Sequence, residues 1–346
     1  MTELLFTLLI AFIGGLILQK LKVPGGMMLG AVITVAALNI GTSLVEIPSG
    51  FRFVAQCIAG AYIGTTVKKE NFKKIKYLLK PTLLLLVGLF LTNLLTGFLI
   101  YLVSPLDLLT SLFSAIPGGI SDTPLIAADM GADATKVTVM QFVRLTSGIA
   151  LVPILVRKND LEPITESVNA IRKNKNNDKK SLRKNVVIAL IIAFIAGYLG
   201  SLSGIPAGTL LFAMLSIILL KIFYFEMIFP VWFKRMAQMF SGAYIGSRFG
   251  YQDVQELRYL LLPALILVTI NILACYIIGQ MLHRIYKIPL SQAILSSSPA
   301  GASDMALIAS DIGVSGSDVA VIQIFRLLGA VTIFPQLINL LVKLVG

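Results

Sequence analysis

The sequence predicts an all-α membrane protein built from two inverted-topology repeats, each with about five transmembrane helices and one broken, re-entrant helix. Three observations lead there: sustained hydrophobicity, an internal repeat in a single register, and a lopsided distribution of basic residues. Of 346 residues, 57% are hydrophobic and 13% charged, with a mean hydropathy of +0.88. Soluble domains carry roughly 25% charged residues. So little polar surface cannot cover a soluble fold of this length. Thr82–Val103 runs 22 residues without a charge, and roughly 20 apolar residues cross a bilayer as helix.

The repeat has an offset of 182: VAQCIAGAYIG at 54–64 returns as MAQMFSGAYIG at 236–246. SAIPGGISDTPLIAADMG at 114–131 returns as SSSPAGASDMALIASDIG at 296–313, with ten of eighteen positions identical. VTVMQFVRL at 137–145 returns as VAVIQIFRL at 319–327. Pro24, Pro81 and Pro153 keep the same spacing with Pro206, Pro263 and Pro335. Six matches in one register mean duplication, not shared membrane composition. The first repeat covers 1–157 and the second 185–346. Between them, 158–184 is a basic cytoplasmic linker, rich in Lys and Asn and without apolar periodicity.

Spanning helices are expected near 4–19, 26–41, 51–67, 81–103 and 137–156 in the first repeat. In the second they are expected near 186–200, 207–220, 231–247, 260–282 and 319–341. Glu3 stands where a secretory signal carries positive charge, so the first segment reads as a retained helix. Segments 107–131 and 290–313 are interrupted by Pro-Gly-Gly and Pro-Ala-Gly. Each half is roughly 15 Å of helix, against a hydrocarbon core of roughly 30 Å. Such a segment either returns to its own side, which inverts the second repeat, or crosses, which makes the repeats parallel.

Basic residues arbitrate. With the N-terminus outside and re-entrant segments, 22 of the 29 Lys and Arg residues fall in cytoplasmic loops. Arg52, Lys136, Arg248, Arg258 and Lys343 remain outside, and Arg144 and Arg326 lie within the membrane. Crossing segments would put the nine basic residues of Arg157–Lys184 opposite the Lys68–Lys80 cluster. The expected product is a multi-pass plasma-membrane protein with both termini extracytoplasmic. Its net charge of +12 then faces anionic lipid, not nucleic acid.

The broken helices carry the candidate site. Pro117, Gly118, Gly119, Ser121 and Asp122 interrupt the first; Pro299, Gly301, Ser303 and Asp304 interrupt the second. Glycine suits a tight reversal with positive φ, while Ser121, Asp122 or Thr123, and Ser303 or Asp304, suit the cap of the following half-helix. Free N–H groups at such a start favour an anion, and the preceding carbonyls a cation. Backbone open at membrane depth must line a cavity or be buried in protein. Asp129 and Asp311 come seven residues later, where the wet mouth of a hairpin would accommodate them.

Gln141 and Arg144 are three apart on an apolar helix and share a face; Gln323 and Arg326 repeat the pair. A membrane arginine requires a cavity or a partner, here either an ion pair with Asp122 or Asp129 (or their counterparts) or a ligand. Gln56, Tyr62, Gly60 and Gly64, with Gln238, Tyr244, Gly242 and Gly246, read as close helix packing. Cys57 and Cys275 read as small core residues. A single histidine, His283, excludes a His-rich metal site and His-based catalysis, and there is no Walker loop. The expectation is therefore no enzyme, no metal, and no cofactor beyond a coupling Na⁺ or H⁺.

The duplicated Pro-Gly-Gly/Pro-Ala-Gly, Ser-Asp, Ala-Asp/Ser-Asp and Gln-x-x-Arg-Leu elements resemble the membrane protein family catalogued as AbrB duplication, over essentially the whole chain. That family is also labelled an ammonia monooxygenase. Where its members more often carry Glu after the hairpin serine, Asp122 and Asp304 stand here. One histidine cannot supply the nitrogen ligands of a copper monooxygenase, and a soluble DNA-binding domain would not be spread over ten spans. The resemblance implies a transporter-like membrane protein of no particular substrate. The expected function is secondary active transport by alternating access, elevator-like in form, of a small anionic or zwitterionic organic solute. Arg144 and Arg326 would neutralise the solute, and Asp122 and Asp304 would bind the coupling H⁺ or Na⁺. A channel and a membrane-embedded regulator or scaffold are the alternatives. Expected partners are the solute, lipid and, in a homodimer, a second copy.

Overall fold

The computed structural model describes residues 2–42, 45, 47–67, 69–156, 179–224, 229–301, 305, 308–309, 314 and 316–345. Of the basic linker, 158–178 lies outside the described residues. The described residues form helices and no strand. The first repeat holds α1 (Thr2–Lys20), α2 (Gly26–Thr42), α3 (Ser49–Thr66), α4 (Lys69–Val103), α5 (Leu108–Ala115), α6 (Thr123–Asp129) and α7 (Ala134–Leu155). The second holds α8 (Lys179–Leu202), α9 (Gly208–Phe223), α10 (Val231–Gly246), α11 (Tyr251–Glu256), α12 (Leu261–Tyr286) and α13 (Leu290–Ser297). It ends in α14 (Gly316–Thr332) and α15 (Phe334–Val345).

Apolar runs set these helices, and prolines set some of their breaks. Every expected spanning segment coincides with helix. Among the described residues, six helical stretches are long and apolar enough to cross a membrane: α1, most of α4, α7, α8, α11–α12 and α14–α15. Helices α2 and α9 are apolar but shorter, and α3 and α10 carry Arg52, Lys234 and Arg235. The single span expected over 319–341 is two helices. Pro335 lacks an N–H and its ring presses on the preceding turn, so α14 ends at Thr332 and α15 begins at Phe334. The matching Pro153 lies inside α7, two residues before its end.

The α1–α2 and α8–α9 turns repeat each other's backbone. Lys22 and Gly25 have φ of 58° and 66°; their counterparts Gly204 and Ala207 have 67° and 58°. Each turn therefore uses two left-handed positions, and each gives one of them to a residue other than glycine.

The helices sort into two bundles, and each bundle draws on both repeats. Helices α1–α3 pack with α8–α10, and α4–α7 pack with α12–α15. The repeats are thus units of sequence, not of packing. Gly60 and Gly64 let α3 lie directly on α9: a Cβ there would stand 2.5 Å from the Leu210 carbonyl oxygen and 2.8 Å from that of Met214. Gly242 and Gly246 do the same for α10 on α2, at 2.5 Å from the Met28 oxygen and 2.7 Å from that of Val32. Contacts advance in step along both pairs, so α3 runs with α9 and α10 runs with α2. Phe51 and Arg52, at the start of α3, meet Phe240 and Tyr244 late in α10, so α3 runs against α10.

Candidate functional site

Asp107 caps α5 by accepting from the Thr110 N–H at 2.8 Å. Asp133 caps α7 by accepting from the N–H groups of Thr135 and Lys136 at 3.0 and 3.1 Å. The Asp133 N–H itself donates to Thr110 Oγ1 at 3.0 Å. The chain therefore enters α5 and leaves α6 at the same place, and α5–α6 is a hairpin.

Its tip is held by α7. Gln141 Nε2 donates to the carbonyls of Phe113, Ser114 and Ile116 at 3.1, 3.3 and 3.0 Å. Arg144 donates through Nη1 to Ile116 O and through Nη2 to Gly118 O, the latter at 2.6 Å. The second copy reproduces this bond for bond. Gln323 Nε2 donates to Leu295, Ser296 and Ser298 at 2.8, 3.2 and 3.2 Å. Arg326 donates through Nη1 to Ser298 O and through Nη2 to Ala300 O, the latter at 2.8 Å. All four side chains are buried.

The physical logic is that of a helix C-terminus. The last carbonyls of a half-helix have no intrahelical donor and form the negative end of its dipole. Within a membrane no water is at hand, so an amide and a guanidinium satisfy them. The carbonyls that suited a cation in sequence terms are thus occupied by these donors. Neither arginine joins an ion pair among the described residues. Among the described residues, each still has an unpartnered buried Nε, and Gln141 and Gln323 each an unpartnered Oε1.

Asp122 stands at the start of α6, but its side chain makes no cap hydrogen bond. The N–H groups of Asp122 and Thr123 turn back to Gly119 O instead, at 3.3 and 3.1 Å. Asp122 is 8% exposed and Ser121 9%. Gly118 and Gly119 do not take positive φ; what a side chain there would meet first is the end of a neighbouring side chain. A Cβ at Gly118 would stand 2.2 Å from Thr123 Oγ1, and one at Gly119 2.3 Å from Asp122 Oδ2.

The second tip, with Pro299 and Ala300, rests on α7 one turn beyond Arg144. A Cβ at Gly148 would stand 3.2 Å from Ala300 Cβ and 3.3 Å from Pro299 Cγ. Ile120 of the first hairpin packs against the apolar cluster that contains Ala300. Both tips thus lie against α7, about one turn apart. Gly301 accepts from the Met305 N–H at 3.0 Å. Ser303, Asp304 and Asp311 lie outside the described residues.

Asp129 sits apart from this centre. It pairs with Arg52 at 3.1 Å and accepts from Gln56 Nε2 at 3.0 Å. Arg52 also donates to Ala128 O at 3.2 Å. Gln56 was expected only to pack, and Arg52 was expected only as an outer basic residue. The available signal was Arg52/Gln56 repeated as Lys234/Gln238, a cation and an amide one turn apart in both copies. Beside this group a cavity of about 590 Å³ opens between the bundles, lined by Arg52, Gln56, Asp129, Thr209, Asn339 and Lys343 among others. Cys57 and Cys275 are free and buried.

The chain is similar to "Putative regulator AbrB" of Escherichia coli K12, at 27% identity over 310 residues covering 88% of this chain and 86% of the relative. It is also similar to "Uncharacterized protein YhjN" of Bacillus subtilis 168, at 22% identity over 365 residues covering 99% of this chain and 94% of the relative. The family described as "Transition state regulatory protein AbrB" matches residues 1–160 and 42–342. Matched over nearly its whole length, the chain belongs to that family.

Proposed function

We propose that this protein is a secondary active transporter of ten spans, working by alternating access between its two bundles on a small anionic or zwitterionic organic solute. The observation that carries this reading is the pair of buried guanidiniums, Arg144 and Arg326, joined to hairpin carbonyls and to no acid among the described residues. Burying an ion costs several kcal/mol. The dipole end of each half-helix offsets part of that, and an anionic solute between the tips would offset more. Asp122, buried and released from capping, is the candidate for the coupling H⁺ or Na⁺, with Asp304 as its counterpart by repeat.

Helix directions support inverted repeats. Helix α9 is the repeat image of α2, yet it runs with α3, whereas α2 runs with α10 and so against α3. The images point opposite ways. Contacts group accordingly. Asn39 donates to the carbonyls of Ser247 and Phe249, both at 3.1 Å, and Lys136 pairs with Glu256 at 2.6 Å, all at or beyond span ends expected to face outside. Lys221 donates to Thr65 O, both expected inside. Bundles that each mix both repeats and meet directly through α7 and α10 suit relative motion.

Purified protein in proteoliposomes under an imposed Na⁺ or H⁺ gradient should accumulate small organic acids saturably. Arg144→Gln should lower that rate by about tenfold or more, the scale of one lost charge-assisted contact, and Asp122→Asn should remove the gradient dependence. Non-saturating flux would favour a channel instead. Solute binding without flux would favour a membrane-embedded regulator, the role that the relatives' names suggest. No chemistry on the solute is proposed.

A further inference from the structure

We propose that Arg52 and Asp129 form an outer gate between the two bundles, opened when a small organic carboxylate enters the adjoining cavity and competes with Asp129 for Arg52. The proposal rests on the transport reading for the gate's purpose, while its geometry stands alone.

Arg52 belongs to α3 in the first bundle and lies 5.9 Å from the centre of the Tyr244 ring on α10. Asp129 ends α6, the second half of the hairpin in the other bundle. Their 3.1 Å pair, with Gln56 bonded to Asp129 Oδ2 at 3.0 Å and to Leu125 O at 3.4 Å, joins the bundles at one end. A second tie lies at the same mouth: Gln336 Nε2 on α15 donates to Pro206 O in the α8–α9 turn at 2.7 Å. The repeat places Ile154 and Pro24 at the corresponding inner positions, and isoleucine cannot donate. This second tie therefore has no side-chain equivalent at those positions.

The pair is built to be displaced. Its side chains are 29% and 21% exposed, and partly exposed ion pairs are weak. The adjoining cavity of about 590 Å³ falls within the size range of small-molecule sites. Its charged lining is two cations, Arg52 and Lys343, against one anion, Asp129. Asp129 meets Arg52 through one oxygen only, 3.1 Å from Nη2, whereas a free carboxylate can approach the guanidinium with both oxygens. From Asp129 the helix α6 descends to Asp122, roughly 10 Å away, so releasing Asp129 opens the way to the hairpin tip.

The test is the rate at which an externally added impermeant maleimide labels Ser121→Cys, with Thr123→Cys as a second reporter, in sealed right-side-out vesicles. Arg52→Gln and Asp129→Asn should each raise that rate about fivefold, the upper end of what a partly exposed ion pair contributes. The reversed pair, Arg52→Asp with Asp129→Arg, should restore slow labelling. Acetate, lactate, succinate or citrate, exchanged for chloride at constant ionic strength, should speed labelling of the unmodified gate and leave Arg52→Gln unchanged. Three results would each overturn the gate: single variants that label at the original rate, a reversed pair as fast as the singles, or no response to any of the four acids. Labelling does not require transport, so the gate and the transport reading can fail separately.

Discussion

Valine at Gly60, or at its counterpart Gly242, is expected to prevent the first bundle from assembling. A Cβ at either site would stand 2.5 Å from a backbone carbonyl oxygen, that of Leu210 or Met28. Backbone cannot rotate away as a side-chain end can, so the facing helix must shift by about an ångström along its whole contact. The cost should exceed about 4 kcal/mol, the range reached only by gross core disruption. Because α3–α9 and α2–α10 are the joints that interleave the repeats, neither repeat can fall back on a bundle of its own. Gly41→Val is the control, since nothing lies within 4 Å of a Cβ there. Detergent-extracted Gly60→Val and Gly242→Val should elute as aggregate or be degraded, and Gly41→Val should elute and melt like the unmodified chain. A monodisperse, normally melting Gly60→Val would refute this packing.

Leucine at Gln141 or Gln323 should have the next largest effect. Each amide shares its two N–H groups among three carbonyls at a half-helix end, and leucine fills the space without serving any. An unsatisfied buried polar group costs about 1–3 kcal/mol, and these have no water to turn to. The expected loss is about 3 kcal/mol after partial relaxation of the hairpin. Hydrogen–deuterium exchange should localise it, with faster exchange over residues 116–123 in Gln141→Leu and unchanged exchange in α1–α3. Equal exchange in both proteins would mean that Gln141 does not hold the tip.

Much of this architecture was legible because its causes are compositional. Apolar runs long enough to cross a bilayer place the helices within a few residues, and the 182-residue register pairs them. The Gln-x-x-Arg spacing correctly put both side chains on one face. Their targets were not legible, because backbone carbonyls leave no trace in residue type, so the search for a partner of Arg144 turned to aspartates. The Arg52–Asp129 tie was hidden for another reason: it joins elements far apart in the chain that meet only when the repeats interleave. The hairpin glycines illustrate a third limit. Their presence marked the reversal, but their backbone is not left-handed, and what crowds a Cβ there is the side chains of Thr123 and Asp122. Conversely, left-handed backbone occurs at Lys22 and Ala207, where the residue type gives no hint of it.

Motion of one bundle against the other is measured most directly by electron–electron distance spectroscopy. Spin labels at Ser201→Cys on α8 and Leu340→Cys on α15 would report across the bundles at the outer end. Cys57 and Cys275 are buried and free, which leaves them poor labelling sites. A control pair within one bundle, Ser201→Cys with Leu219→Cys, should give a constant distance. Across the bundles, two distance populations are expected, trading weight when Na⁺ is exchanged for K⁺ or when pH is lowered. A single cross-bundle distance, identical under every ionic condition and as invariant as the control, would contradict alternating access.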